Sequence, residues 1–284
     1  MIIFKYADQL ARYIQQQKAA QKQIGFVPTM GALHNGHIAL IDRSKQDTAV
    51  TVCSIFVNPT QFNNATDYQL YPNTIEPDIM KLEAAGCDAL FLPSIAEMYP
   101  QGTAGLEHYD LGYLETLLEG KFRPGHFQGV CQVMFRLLTM VQPHKLFMGQ
   151  KDYQQCMVVS RLLQLMQSAT ELITCPTLRE PDGLAMSSRN MRLSLHDRQI
   201  ATTIYKCLTT IKQECNKGIT WPVIKEKAEQ LLTGAGFIID YVELADATTL
   251  QPAHATMATI YQGPRVALIA AFLHEVRLID NILV

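Results

Sequence analysis

The sequence predicts an α/β protein, a doubly wound, Rossmann-like parallel sheet followed by a smaller C-terminal α+β domain. Three observations carry that reading. Apolar runs of strand length alternate with helical patterns through the first two-thirds of the chain. The run AVTVCSIFV (49–57) is continuous, as expected of a strand covered on both faces. The pattern then changes character after LREPDG (178–183), where Pro, Gly and charged residues cluster. A boundary near Thr177 gives 1–177 as the Rossmann-like domain and 178–284 as a small lid domain.

Taken in order, QIGFV (23–27) reads as the first strand and IALIDRSK (38–45) as the helix after it. AVTVCSIFV is the second strand. EPDIMKLEAAG (76–86) is a helix, with Ile79, Leu82 and Ala85 at helical spacing and Gly86 to end it. CDALFLP (87–93) is a strand, and GVCQVMFRLLTMV (129–141) a buried helix stopped by Pro143. KLFMG (145–149), DYQQCMVVSRLLQLM (152–166) and ELITCPT (171–177) complete a βαβα repetition, the pattern of a parallel sheet. Beyond the boundary come a long helix over about 195–216 and a second over 221–236. FIIDYVELAD (237–246), ATMATIY (255–261) and RVALIAAFLHEVRLIDNILV (265–284) are read as strand segments.

Composition excludes several classes. A formal net charge of -2 points to neither nucleic acid nor an acidic membrane as partner. The seven cysteines are scattered without a C-x-x-C pair, which argues against a zinc framework or a disulfide scaffold and for buried thiols in a reducing compartment. The opening MIIFKYADQLARYIQQQK has no basic n-region or apolar core of a signal peptide. No apolar run approaches the ~20 residues that span a bilayer. The expectation is a soluble, cytoplasmic protein.

Ligands of an open parallel sheet bind at the carboxyl ends of its strands. Four loops on that rim are rich in polar residues. PTMGALHNGH (28–37) puts Gly31, Gly36, His34 and His37 where a strand hands over to a helix. A helix N-terminus suits phosphate, and imidazole can donate to a phosphoryl oxygen as charge grows. The plain alternative is a strand–helix turn with two exposed histidines. MGQKDYQQ (148–155) places Lys151 past a strand end, with Asp152 as a helix cap and Gln155 one turn on. In AMSSRN (185–190), Ser187, Ser188 and Arg189 can clamp phosphates or merely cap a helix. VNPTQFN (57–63) offers the neutral amides of Asn58 and Gln61 for a polar organic acid, and GKFRPGHFQG (120–129) offers Lys121, Arg123 and His126. Neither a Walker motif nor G-x-G-x-x-G is present, no metal signature appears, and no nucleophile–base pair is evident. The set suits phosphoryl or adenylyl transfer, in which the protein positions groups and stabilises charge.

PTMGALHNGH, FVNPTQF, RPGHFQGV, FMGQKDYQQ and MSSRN, in this order and spacing, closely resemble the pantoate–β-alanine ligases. The resemblance runs from about Gly25 to the C-terminus. HNGH resembles the H-x-G-H motif of the nucleotidyltransferase and class I aminoacyl-tRNA synthetase superfamily, and MSSRN its mobile second signature. The resemblance implies that ATP and pantoate give pantoyl adenylate with Mg2+, and that β-alanine then gives pantothenate and AMP. It implies that Met30, Gly31, His34 and His37 contact ATP, with His37 as proton donor. Gly149, Lys151 and Asp152 match the adenosine and phosphate segment, Leu178 the position beside adenine, and Met186, Ser187, Ser188 and Arg189 the segment that closes over phosphates. Gln61 matches the glutamine that serves pantoate and β-alanine and Gln155 the second pantoate ligand, with Asn58, and His126 and Arg123 of the flanking loop, as further candidates for that subsite. Asp78 is the Mg2+ candidate. A homodimer is implied as well. Two positions depart from the family: Gln150 where Glu is common, and Asn73 where Arg is common.

Three rivals remain at this level. An adenylylating transferase that keeps its product would be a shorter chain without NPTQF. An idle nucleotide-binding protein would have lost His34, His37 or Lys151. A tRNA synthetase would carry a basic surface.

Overall fold

The computed structural model describes residues 1–63, 65–253 and 263–284. The chain divides into two compact units, one of Met1–Gln150 with Gln154–Pro176, the other of Lys151–Tyr153 with Thr177–Val284.

Among the described residues, the first unit is a six-stranded sheet, every pairing of which is parallel: β1 (Ile2–Phe4), β2 (Ile24–Thr29), β3 (Val50–Ile55), β4 (Ala89–Phe91), β5 (Lys145–Gly149) and β6 (Glu171–Cys175). Its order is β1-β4-β3-β2-β5-β6. The helices between are α1 (Ala7–Ala19), α2 (Asn35–Asp47), α3 (Ala65–Gln69), α4 (Ile75–Ala84), α5 (Ile95–Met98), α6 (Leu118–Phe122), α7 (His126–Val141) and α8 (Tyr153–Leu165). All of β3 is buried, as its unbroken apolar run requires. Val27, Ile41, Cys53, Leu82, Leu90 and Phe147 form part of a core cluster, drawn from four strands and from α2 and α4.

The first strand and helix, β1 and α1, were not expected. A three-residue strand at the sheet edge carries no readable alternation, and its Ile2 and Ile3 stay exposed. Only pairing with Ala89–Phe91 makes it a strand.

In the second unit, α9 (Leu195–Ala201), α10 (Thr203–Asn216) and α11 (Trp221–Gly234) accompany an antiparallel sheet of β7 (Ile238–Asp246), β8 (Arg265–Leu273) and β9 (Val276–Leu283). Ile204, Leu208, Ile211, Ile224 and Leu232 pack on Val242, Leu244, Ile269 and Leu278. Two sequence expectations change. The helix over 195–216 is broken at Thr202, whose hydroxyl and amide both bond back to the Gln199 carbonyl and tighten the turn. The run 265–284 is a hairpin instead of one segment, turned at His274 and Glu275 with Leu273 opposite Val276. The strand expected at 255–261 lies outside the described residues.

No helix among the described residues is long and apolar enough to cross a membrane.

Candidate active site

Strand order sets the site. From β2, the chain proceeds through β3 and β4 on one side, then returns to β5 and β6 on the other. That reversal is the switch point at which open α/β sheets bind ligands, outside the strand ends. The segment following β2 is Met30 to His34; β5 ends at Gly149, two residues before Lys151.

The histidine pair begins α2. His34 is its N-cap, and its Nδ1 accepts the Gly36 amide at 3.1 Å. His37 Nδ1 accepts the His34 amide at 3.3 Å, closing a reciprocal capping box. Their ring centroids lie 4.0 Å apart. With each Nδ1 an acceptor, the neutral ring carries its proton on Nε2, the nitrogen suited to donate to a phosphoryl oxygen.

The turn ahead of the pair is held from α4. Gly31 and Ala32 both take positive φ, 83° and 49°. A Cβ on Gly31 would meet Ile55 at 3.1 Å and the Asp78 carboxylate at 3.3 Å, so both the φ and the space favour glycine there. Asp78 is fully buried, and its two oxygens accept the Ala32 and Leu33 amides at 2.8 Å each, with Thr74 Oγ1 at 3.2 Å. Lys81 donates to the Leu33 carbonyl. Among the described residues, no group of three or more His, Cys, Asp or Glu is arranged to hold a metal ion. Asp78, the carboxylate expected near Mg2+, holds the histidine loop through these bonds. A cavity of about 240 Å³ nearby is lined by Met30, Gly31, Phe56, Asn73, Asp78 and Ser94, which places the family departure Asn73 at its wall.

Gln61 sits in a one-turn helix, Pro59–Gln61, that begins after Asn58. Its Nε2 donates to Met30 Sδ at 2.9 Å, and its Oε1 accepts from Asn58 at 3.3 Å. Asn58 is buried and also donates to the Gly129 carbonyl at 3.0 Å and accepts the Tyr99 hydroxyl at 2.7 Å. Burial pushes the Tyr99 phenol up, against its hydrogen bonds with Thr60 and Asn58 and the charge of Arg136. The approach of α7 to this turn depends on Gly129, where a Cβ would fall 2.2 Å from the Thr60 carbonyl oxygen. His126 is buried; its Nδ1 is 2.8 Å from the Gln61 carbonyl, which only accepts, so Nε2 is the atom that accepts from Arg123 at 3.1 Å. Arg123 also faces Glu119 at 3.6 Å. Asn58 and His126 thus hold Gln61, and Arg123 holds His126. Gln155 is half-buried on α8, next to Gln154, whose amide is tied to Leu114, Leu117 and Glu119.

The remaining candidates belong to the second unit. Lys151 Nζ lies 3.6 Å from Asp152. Ser187 caps the short turn Ser188–Arg192, with Ser188 buried. Leu178 is exposed, and the neighbouring Thr177 hydroxyl is buried without a hydrogen-bond partner. The LREPDG stretch is closed on itself by local bonds. Arg179 and Ala185 form a bridge, Glu180 bonds to Leu184, and the Met186 amide returns to Leu178. Thr60, Lys81, Tyr99, Arg179, Asp280 and Asn281 escaped the sequence reading. Only the last two carried a signal, an adjacent Asp-Asn inside the apolar end RLIDNILV.

The family described as pantoate-beta-alanine ligase matches residues 2–283. A pantothenate synthetase of Cytophaga hutchinsonii is 41% identical over 286 residues, covering 100% of this chain and 99% of that protein. The crystal structure of the Thermus thermophilus pantothenate synthetase superposes with a TM-score of 0.89 at 38% identity, covering 99% of both chains. The Francisella tularensis pantoate-beta-alanine ligase, complexed with beta-gamma ATP and beta-alanine, superposes with a TM-score of 0.82 at 38% identity, covering 100% of this chain and 97% of that one.

Proposed function

The chain belongs to the pantoate–β-alanine ligase family, and we infer from that membership that it joins pantoate to β-alanine at the expense of ATP. A carboxylate oxygen of pantoate attacks the α-phosphorus of ATP, the bond to the bridging oxygen breaks, and pyrophosphate leaves. The amine nitrogen of β-alanine then attacks the acyl carbon, loses a proton, and expels AMP. One observation supports the assignment of residues: both histidines accept backbone amides on Nδ1 at the sheet's switch point, so the neutral ring's donor is Nε2. His34 and His37 stabilise phosphate charge on this reading, with His37 as proton donor. Lys151 and Arg189 neutralise the leaving pyrophosphate and Ser187 and Ser188 donate hydrogen bonds to it, while Gly31 and Gly149 admit it close to the backbone. Met30, Asp152, Leu178 and Met186 surround the adenosine. Gln61 and Gln155 hold pantoate.

Mg2+ belongs with the ATP phosphates, since it usually keeps waters and takes only one or two carboxylates. Bound there it offsets triphosphate charge. Seven buried free cysteines support a reducing, cytoplasmic setting. A homodimer is proposed on family grounds, and sedimentation at micromolar concentration tests it. The test of the reaction is pantoate-dependent ATP–pyrophosphate exchange without β-alanine. Exchange is expected; a requirement for β-alanine would remove the adenylate.

A further inference from the structure

β9 alternates until its end and then breaks the rule. Val276, Leu278 and Asp280 are buried on one face, but Asn281 on the opposite face is buried too, at 2% exposure beside 4% for Asp280. Adjacent buried polar side chains destabilise a strand unless each is satisfied. Both are, and both reach toward segments assigned above to ATP phosphates.

Asp280 pairs with Arg179 in a two-pronged contact, Nη1 to Oδ2 at 2.5 Å and Nη2 to Oδ1 at 3.0 Å. The same guanidinium donates to the carbonyls of Gly183 and Asn281 at 3.2 Å and lies 4.1 Å from the centre of the Tyr205 ring. Burial pushes the Asp280 carboxyl up, against the pull of Arg179, the Asn281 amide and Lys151. Through Arg179, whose bridge to Ala185 immediately precedes Met186, Asp280 fixes the root of the Ser187–Arg189 loop. Asn281 reaches the other segment: its Nδ2 donates to the Lys151 carbonyl at 2.9 Å, across 130 residues. Tyr153 adds a second attachment, its hydroxyl donating to the Ala247 carbonyl at 2.7 Å. β9 itself is held in register on β8, with Asp280 opposite Ile269 and Asn281 opposite Leu268.

We propose that Asp280 and Asn281 are positioning residues for adenylation, setting the Lys151 main chain and the Ser187–Arg189 loop at a fixed separation so that both act on one triphosphate. The proposal rests on the reading of Lys151 and Ser187–Arg189 as phosphate donors. The ammonium of a lysine is a point charge on a flexible stem. Where its main chain sits decides whether that charge meets the same phosphate as the loop donors. Misplacement of about 1 Å can cost on the order of 100-fold in rate.

The experiment is a double-mutant cycle on the full chain. Asn281→Ala and the space-filling Asn281→Leu are each made alone and with Lys151→Ala. ATP affinity is measured by calorimetry, pantoate-dependent exchange by isotope, and folding by thermal melting. Wild-type exchange checks the functional reading independently. The expected result is a loss of about 10- to 100-fold in exchange for each Asn281 variant that melts cooperatively. The pantoate KM should be little changed, and the loss of ATP affinity should disappear in the Lys151→Ala background. Folded Asn281 variants with wild-type exchange would overturn the proposal. So would losses of ATP affinity that multiply with those of Lys151→Ala, because a merely structural role acts independently of the lysine.

Discussion

The Leu33 amide donates to Asp78 Oδ1 at 2.8 Å, a bond that spans 45 residues and ties the histidine loop to α4. Its companion from Ala32 to Oδ2 holds a non-glycine residue at positive φ, a conformation that costs about 1–2 kcal/mol. Asp78→Ala leaves two buried amides without that acceptor, at about 1–3 kcal/mol each. The expected outcome is a lower melting temperature and slower exchange, with the Mg2+ concentration giving half-maximal rate unchanged. A shift in that Mg2+ requirement would return Asp78 to the role of metal ligand.

His34 and His37 combine capping with chemistry, and substitution separates the two. His34→Ala and His37→Ala should each slow adenylation by ~100- to 1000-fold, the typical loss of one donor to developing charge. His34→Asn supplies an N-cap that α2 accepts readily. It should melt close to wild type and stay slow. Recovery of the rate in His34→Asn would show that the imidazole serves only as a cap.

Gln61 is oriented at both ends of its amide, by Asn58 and by Met30. Gln61→Ala should raise the pantoate requirement and leave ATP binding close to wild type. Calorimetry with each ligand decides, and equal losses would place Gln61 in the wrong subsite.

His144 gives a dependence on pH. Its Nδ1 accepts the Ile24 amide at 2.9 Å, and burial together with the charge of Lys18 lowers its pKa from the ordinary value of about 6.5. The unfolded chain then binds the proton more readily than the folded one. Its contribution to stability is complete above pH ~6.5 and is lost as pH falls from there through the lowered folded value. Because the ring is largely exposed, the slope should be shallow. Urea melts from pH 5 to 8 should show it, and His144→Gln should flatten it; an unchanged slope in the variant would assign the effect elsewhere.

The sequence by itself determined the alternation of strands and helices, the parallel sheet, and the loops that line its rim. Each of these is written locally, in apolar period, in Gly and Pro punctuation, and in motifs such as HNGH and MSSRN. The same local code failed at β1, which is a strand only through its pairing with β4, and at 195–216, where one hydroxyl bonding backward breaks a continuous helical pattern. Tertiary structure alone decided how the site is held. It gave Asp78 the amides of the histidine loop to hold, and set Asn58 and His126 on either side of Gln61. It also brought Asn281 to Lys151. The physical reason is that a buried polar group must find a partner, and the partner is chosen by where the packed elements bring their ends together, 45, 65 or 130 residues away along the chain.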